Sequence, residues 1–541
     1  MRKTLQYLKT LVTVSVIFMI LGATGMGTMQ VKAAGNSTAI TACAITGDKV
    51  SVIASTAQLP ASDDGVFYLF AEPTYSGGIT TNYVAASPMA GAVSFSAPLN
   101  VRKANSLLYD KFIVAVKRGG QFVPVSEACY LTNPEAVATC TTPRTVPASK
   151  KGLLPDPAII AGPELKNLGV KQATFNISIS DILGPTSNGS YPTINYNYNG
   201  KNYQFNGLKI AEYDHVFGIL SKQGICTTAV LLNNFTGAHP ELLHPYARDG
   251  FVAPYYAFNT AEPAGVDTLA AAGSFLAQRY SNKGHGKVDN WVIGNEVTAR
   301  TQWNYMQDVG MQIYVEEYAK AVRLFYTALK SENGNANIYV SIDQQWDRNR
   351  GDRANYDGKD LLIAFNAAIA GRGNIDWGVA CHPYPVPLTW ASFWNGQAYY
   401  RNLVKHAENS PFLTMENVEV LTDFMCKPAM WSPYGQVRSI IITEVGYTSA
   451  QGEPVQAAAM MQAYYAAVNN QHIDAINFTR QTDSPAEIAA GIATGLTGVN
   501  GQHKLAYEYF KNMDTPNAAP YIEAAKGVIG IGSWNQSISP R

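Results

Sequence analysis

Two rhythms of apolar and polar positions divide this chain. Over residues 36–140, short β-rich runs such as Lys49–Ala54, Gly65–Phe70 and Lys111–Val116 are separated by Gly, Pro, Asp and Ser. That spacing predicts a small antiparallel β domain, most simply a sandwich, over residues 34–140. A stretch rich in Pro, Thr and Lys follows and reads as a linker over residues 141–160. From there the rhythm becomes strand, loop, helix. The apolar runs Lys171–Ile177, Ile225–Leu232, Val252–Phe258, Val288–Glu296, Ala336–Ile342, Ile375–His382, Ser439–Glu444 and Ala475–Thr479 read as strands. Between them, windows such as Val266–Tyr280, Val315–Leu329 and Ala457–Val468 carry apolar residues at helical spacing. Eight such alternations predict a (β/α)8 TIM barrel over residues 161–541. A doubly wound open sheet alternates similarly, but no Gly-rich phosphate loop follows the first strand.

The first 33 residues stand outside this pattern. Arg2, Lys3 and Lys9 precede an apolar run from Leu11 to about Leu21, and Val31-Lys32-Ala33 offers a small-residue cleavage site. Those are the marks of a secretory signal peptide. The run is short for a membrane span, which needs roughly 20 residues. The mature chain is expected to be secreted, with no membrane association after cleavage. The full sequence balances 40 basic against 40 acidic residues. Removing Arg2, Lys3, Lys9 and Lys32 leaves it slightly acidic, which disfavours nucleic acid or an anionic membrane as partner. Six cysteines are too few for a disulfide scaffold. Cys129 and Cys140 lie close in sequence and export would permit a bridge, although sequence alone does not assign pairing.

A parallel barrel presents its chemistry at the C-terminal ends of its strands. Trp291-Val292-Ile293 reads as a buried strand, Gly294 lets the backbone turn, and Asn295 and Glu296 then emerge at the rim. Three strands later Ile440-Ile441-Ile442-Thr443 ends in Glu444. Two glutamates facing one another across a barrel mouth suit glycosidic-bond cleavage. One protonates the leaving oxygen while the other attacks the anomeric carbon or activates water. A single glutamate after a strand is more simply a helix cap or a rim ion pair; the pair, with Asn295 beside one member, favours a site.

The Asn-Glu pair ending strand four and the Glu ending strand seven resemble those of clan A glycoside hydrolases, retaining enzymes on a (β/α)8 barrel. The resemblance covers residues 160–515 and extends to uncharacterised secreted bacterial members of that clan. It implies that Glu296 is the acid/base, Glu444 the nucleophile, and Asn295 a ligand of the sugar 2-hydroxyl. It also gives roles to His382 and Tyr384 in the strand-six ending Ala380-Cys381-His382-Pro383-Tyr384-Pro385. Tyr384 would donate to Glu444, and His382 would contact a sugar hydroxyl. Clan members usually end strand eight in a tryptophan that floors the first sugar subsite. This chain has Asn477-Phe478-Thr479-Arg480 there, which leaves Phe478 or Arg480 for another role.

All eight tryptophans lie at or after residue 291. Trp303 and Trp346, following strands four and five, are candidate stacking surfaces for a glycan, as are Trp390 and Trp394. Their absence from the β domain makes it a poor flat carbohydrate-binding module; it reads as a spacer or a support. His239 and His244 are five residues apart, which does not fit a metal pair on a helix. They and Arg248 read as structural or substrate-loop residues. The Asp- and Arg-rich loop 347–360 lacks calcium-loop spacing. No metal and no cofactor is implied. The expected partner is a poly- or oligosaccharide substrate. The sequence thus favours a secreted retaining β-glycosidase over a non-catalytic glycan-binding protein on a degenerate barrel. An adhesion protein working through its β domain is a weaker third reading.

Overall fold

The computed structural model describes residues 38–541 except 236, 283, 352 and 397–399. The expected signal peptide lies outside the described residues.

The β domain consists of two facing sheets. Thr38–Thr46, Lys49–Thr56 and Ala92–Pro98 form one, in the order given. The second places Tyr83–Pro88, Val66–Glu72, Lys111–Arg118 and Gln121–Pro124 side by side, with Cys129–Tyr130 also pairing to Lys111–Arg118. Alternation decides the packing. In Ala92–Pro98 every second residue is buried, so Val93 and Phe95 join Val50, Val52, Leu69, Phe112 and Val114 in one core between the sheets. The sandwich expected from the spacing is the fold found.

The sandwich rests on the barrel. Arg102 forms a salt bridge with Glu332, whose side chain is 1 % exposed and also accepts from Ser274 and Gln278. Tyr109 and Tyr198 join hydroxyls at 2.5 Å. The Tyr130 N–H donates to the Arg372 carbonyl, and the Arg323 guanidinium lies 4.8 Å from the Tyr130 ring centre.

Eight parallel strands close the barrel. In order around it they are Lys151–Leu153, Gln172–Ser178, Cys226–Leu232, Asn290–Ile293, Asn337–Ile342, Gly378–Cys381, Ile440–Val445 and Ile473–Phe478. They are numbered one to eight below. Two corrections to the expected strand set cancel in the count. Lys151–Leu153, expected inside a linker, is barrel strand one and pairs with strands two and eight. It carries no apolar run: the buried Lys151 ammonium reaches Asp514 and the Phe510 carbonyl. Val252–Phe258, expected as strand three, is loop. Val252 is 87 % exposed, and Ala253 and Tyr256 pack with Leu243, Ala247 and Tyr305 in a separate small core.

Strand alternation builds two apolar layers. Val230, Leu232, Val292, Tyr339, Ala380, Ile441 and Ala475 fill the barrel interior. Their neighbours Trp291, Ile293, Cys381, Ile440 and Ile442 face outward into the helical shell. That shell includes Gly207–Lys222, Pro263–Arg279, Met311–Lys330, Gly358–Ala370 and Glu453–Val468. None of the helices formed by described residues is long and apolar enough to cross a membrane.

Candidate active site

Strand four ends abruptly. Gly294 has φ +76° and Glu296 φ +38°, a left-handed backbone that non-glycine residues seldom adopt and that costs free energy. Local hydrogen bonds hold it. The Glu296 N–H donates to Ser341 Oγ at 2.9 Å, and the Val297 N–H to the Ser341 carbonyl at 3.1 Å. Tyr314 and Tyr318 hydroxyls donate to the Val297 and Ile293 carbonyls, each at 2.7 Å. The two positive-φ residues turn the chain inward over the barrel mouth.

Strand seven reaches the same place by a different device. Strict alternation would send Ile440, Ile442 and Glu444 outward together. The pairing with strand eight runs Ile442↔Ile476 and then Val445↔Phe478, so strand seven carries one extra residue. This β-bulge re-aims the chain. Val445 takes the outward position beside Ile442, and Thr443 and Glu444 both turn toward the mouth.

His382, at the end of strand six, joins the two acids. Its Nδ1 lies 2.7 Å from Glu296 Oε1 and 3.9 Å from Glu444 Oε2. Those two oxygens are therefore at most about 6.6 Å apart, compatible with the ~5–5.5 Å of retaining glycosidases and below nearly all of the ~6.5–9.5 Å range of inverting ones. Its other nitrogen lies 2.9 Å from Thr443 Oγ1. Burial acts to lower the His382 pKa, but the Glu444 and Glu296 carboxylates outweigh it and raise the pKa above the ordinary imidazole value. Tyr384 donates to Glu444 Oε2 at 3.0 Å and meets Thr479 Oγ1 at 2.9 Å. Burial and then the Glu444 charge push its phenol well above the usual range, so it remains a donor. Neither Glu296 Oε2 nor Glu444 Oε1 has a hydrogen-bond partner among the described residues. Each acid has one oxygen held and one unclaimed.

The other expected site residues divide. Asn295 is half-buried beside Glu296, and its amide has no hydrogen-bond partner among the described residues. Trp303 is half-buried, its ring 5.8 Å from that of Tyr255. Trp346 is a correction: it is 0 % exposed, donates its indole N–H to the Glu408 carbonyl at 2.9 Å and packs edge-on against Phe424. It fills core and offers no stacking face. Arg480 is tied to Glu487, which lies within the field of Glu444. Phe478 points out of the barrel against Phe510, and Thr479 takes the inward place. His244, His239 and Arg248 pair with Glu317, Glu241 and Glu262, the structural reading of that loop.

Two residues went unread in the sequence. Asp343 follows strand five and is 3 % exposed. Burial, and next the nearby Glu296 charge, push its carboxyl up to about 7. It is a third strand-tip acid, which the reasoning applied to Glu296 and Glu444 would have flagged. Tyr255 packs on the barrel-interior cluster. Burial and then Glu444 raise its phenol pKa. It lies in the segment misread as a strand, which concealed its place at the mouth.

A cavity of about 830 Å³ opens at the opposite end of the barrel, among Arg144, Gln172, Asn290 and Asp474. Gln172 and Asn290 begin their strands, so this is the barrel's N-terminal face, where side chains serve stability. Among the described residues no cluster of three or more His, Cys, Asp or Glu could hold a metal ion.

The family model described as "Family of unknown function (DUF5722)" matches residues 143–537. The chain belongs to this family. The match begins before strand one and takes in the whole barrel of this DUF5722 member, leaving out the sandwich. No curated protein matches the chain in sequence. Among solved structures, it is similar to a family 39 glycoside hydrolase from Bacteroides cellulosilyticus WH2, with 11 % identity over 84 % of this chain and 78 % of that one, at a TM-score of 0.42. It is similar to an exo-β-1,4-mannosidase from Opitutaceae bacterium strain TAV5, with 16 % identity, 69 % and 56 % coverage and a TM-score of 0.40. A third is Bacteroides uniformis β-glucuronidase 2, at 9 % identity and TM-score 0.39, with 89 % of this chain aligned. The DUF5722 member spans about half the length of that glucuronidase, 52 %.

Proposed function

We propose that this chain is a secreted retaining glycoside hydrolase acting on β-linked glycans or glycosides by double displacement. The observation that carries the reading is the shared contact of Glu296 and Glu444 with His382, which keeps the two carboxyls within a pyranose width of each other. Tyr384 and His382 hold Glu444 Oε2 from one side, so Oε1 is directed at the anomeric carbon. As that C–O bond forms, the bond to the leaving oxygen breaks and Glu296 Oε2 delivers a proton to it. The glycosyl–Glu444 ester is then opened by water, whose proton returns to Glu296. Asn295 faces the sugar 2-hydroxyl, a bond that strengthens toward the oxocarbenium-like transition state. The His382 ring, whose pKa the Glu444 and Glu296 charges raise against the effect of burial, bridges the two acids.

The test is a panel of aryl β-glycosides and polysaccharides with the wild type and Glu444→Gln. The wild type releases product, and the variant retains its melting temperature and loses turnover. A mechanism-based glycosyl inhibitor should label the peptide bearing Glu444. Undiminished turnover in the variant, or a label elsewhere, removes the nucleophile assignment. The second reading, a glycan-binding protein, draws on the missing strand-eight tryptophan. Binding to a polysaccharide without release of reducing ends would favour it.

A further inference from the structure

Alternation along strand three aims Val230 and Leu232 into the barrel and Ala229 and Leu231 into the helical shell. Carried two residues further, it turns Asn233 outward and Asn234 toward the mouth. Asn233 donates its amide to the Leu242 and Ala257 carbonyls at 3.0 and 3.2 Å. The Asn234 side-chain oxygen accepts from the hydroxyls of Ser178, which ends strand two, and Ser180. Those donors fix which end of the amide is oxygen, and its nitrogen donates to Asp181 Oδ1 at 3.2 Å. Ile179 and Ile182, which flank Asp181 in sequence, are sealed in the shell core and hold the turn in place. Asp181 itself is half-buried. Among the described residues, its Oδ2 has no hydrogen-bond partner, and no lysine or arginine forms an ion pair with it. Tyr255, packed on the barrel interior, lies within the field of both Asp181 and Glu444.

We propose that Asp181 selects the sugar: its Oδ2 accepts a ring hydroxyl of the glycosyl unit held between Glu296 and Glu444, which fits a neutral sugar and disfavours a uronic acid. This rests on the glycosidase reading above and adds the substrate class to it. Strand two stands across the closed barrel from strand six, whose His382 and Tyr384 already bind the two acids. A pyranose lying on those acids therefore meets Asp181 on its far side. An ionised carboxyl accepts and does not donate, so its complement is a hydroxyl. A hydrogen bond to such a charged acceptor is stronger than one between neutral groups. Because no described lysine or arginine pairs with Asp181, a sugar carboxylate placed there would meet like charge, with two further acids close by. Arg480, the guanidinium expected to bind sugar, is closed by Glu487.

The experiment measures kcat/KM of the full mature chain on the nitrophenyl β-glycoside it cleaves fastest, on the monodeoxy analogues of that glycoside, and on its uronic acid counterpart. For the wild type, removing one particular hydroxyl should cost about 10- to 100-fold, the usual worth of a hydrogen bond to a charged group. Asp181→Ala should lower the parent glycoside by the same factor and leave that one analogue unchanged, a coupling that a merely structural role would not produce. Asp181→Asn, which keeps the side-chain size, carries the same comparison should the alanine variant not fold. The uronic acid counterpart should be the poorer substrate of the wild type, and Asp181→Asn should narrow the difference. Equal losses on the parent and every analogue, no loss at all, or a uronide as the fastest substrate overturns the assignment and leaves the roles of Glu296 and Glu444 standing. If the wild type cleaves no glycoside, the glycosidase reading falls separately, and calorimetric titration with polysaccharides decides for Asp181. Weaker binding by Asp181→Asn keeps it as the sugar ligand; equal binding, or none by either protein, overturns it.

Discussion

Thr298 and Asp343 bind each other twice: the Thr298 hydroxyl donates to the Asp343 carboxylate at 2.8 Å and accepts the Asp343 N–H at 3.0 Å. This reciprocal pair ties the turn after Glu296 to the tip of strand five, and it places a buried carboxyl beside the proposed acid/base. Because burial and the Glu296 charge push Asp343 up to about 7, the folded protein binds this proton more tightly than the unfolded chain does. The resulting stability is complete below the ordinary carboxylate value and is lost as the pH rises toward about 7. Asp343→Asn cannot ionise. Its melting temperature should therefore gain on that of the wild type between roughly pH 5 and pH 8, measured by calorimetry. A constant difference across that range would remove the assignment. An inflection in kcat/KM caused by Asp343 ionising should vanish in the same variant.

Glu296→Gln removes the proton donor without changing side-chain size. Cleavage of substrates with basic leaving groups should fall by about 10²–10⁴-fold, the usual contribution of general acid catalysis. Nitrophenyl glycosides, whose leaving group departs without a proton, should suffer much less in the first step. Steady-state kinetics over a series of leaving groups distinguishes them. Equal losses across the series would show that Glu296 is not the acid.

Tyr384→Phe leaves the ring in place and deletes the hydroxyl shared by Glu444 and Thr479. A hydrogen bond to a charged group contributes about 1.5–3 kcal/mol, so kcat/KM should drop by roughly 10- to 100-fold. Circular dichroism should be unchanged.

The two expected tryptophan ligands should separate. Trp346→Phe leaves a cavity in a sealed core and orphans the Glu408 carbonyl, lowering stability by about 1–3 kcal/mol with KM unaltered. Trp303→Ala, beside Tyr255 at the mouth, should raise KM with less effect on denaturant midpoint. The reverse pattern would place the glycan on Trp346.

The sandwich was legible because short β-rich runs are set apart by Gly, Pro, Asp and Ser. Strands two to eight of the barrel were legible because mostly apolar runs mark strands buried on both sides. Glu296 and Glu444 could be read as strand-tip acids because a run of β-branched residues stopped at each. Strand one escaped notice because its three residues are held by neighbouring backbones and a buried lysine, none of which leaves a local pattern. The bulge that turns Glu444 inward and the left-handed backbone at Glu296 were likewise beyond local reading. Each depends on pairing between segments far apart in the chain. Periodicity reports which side of an element is buried; only the closed barrel decides what that side meets.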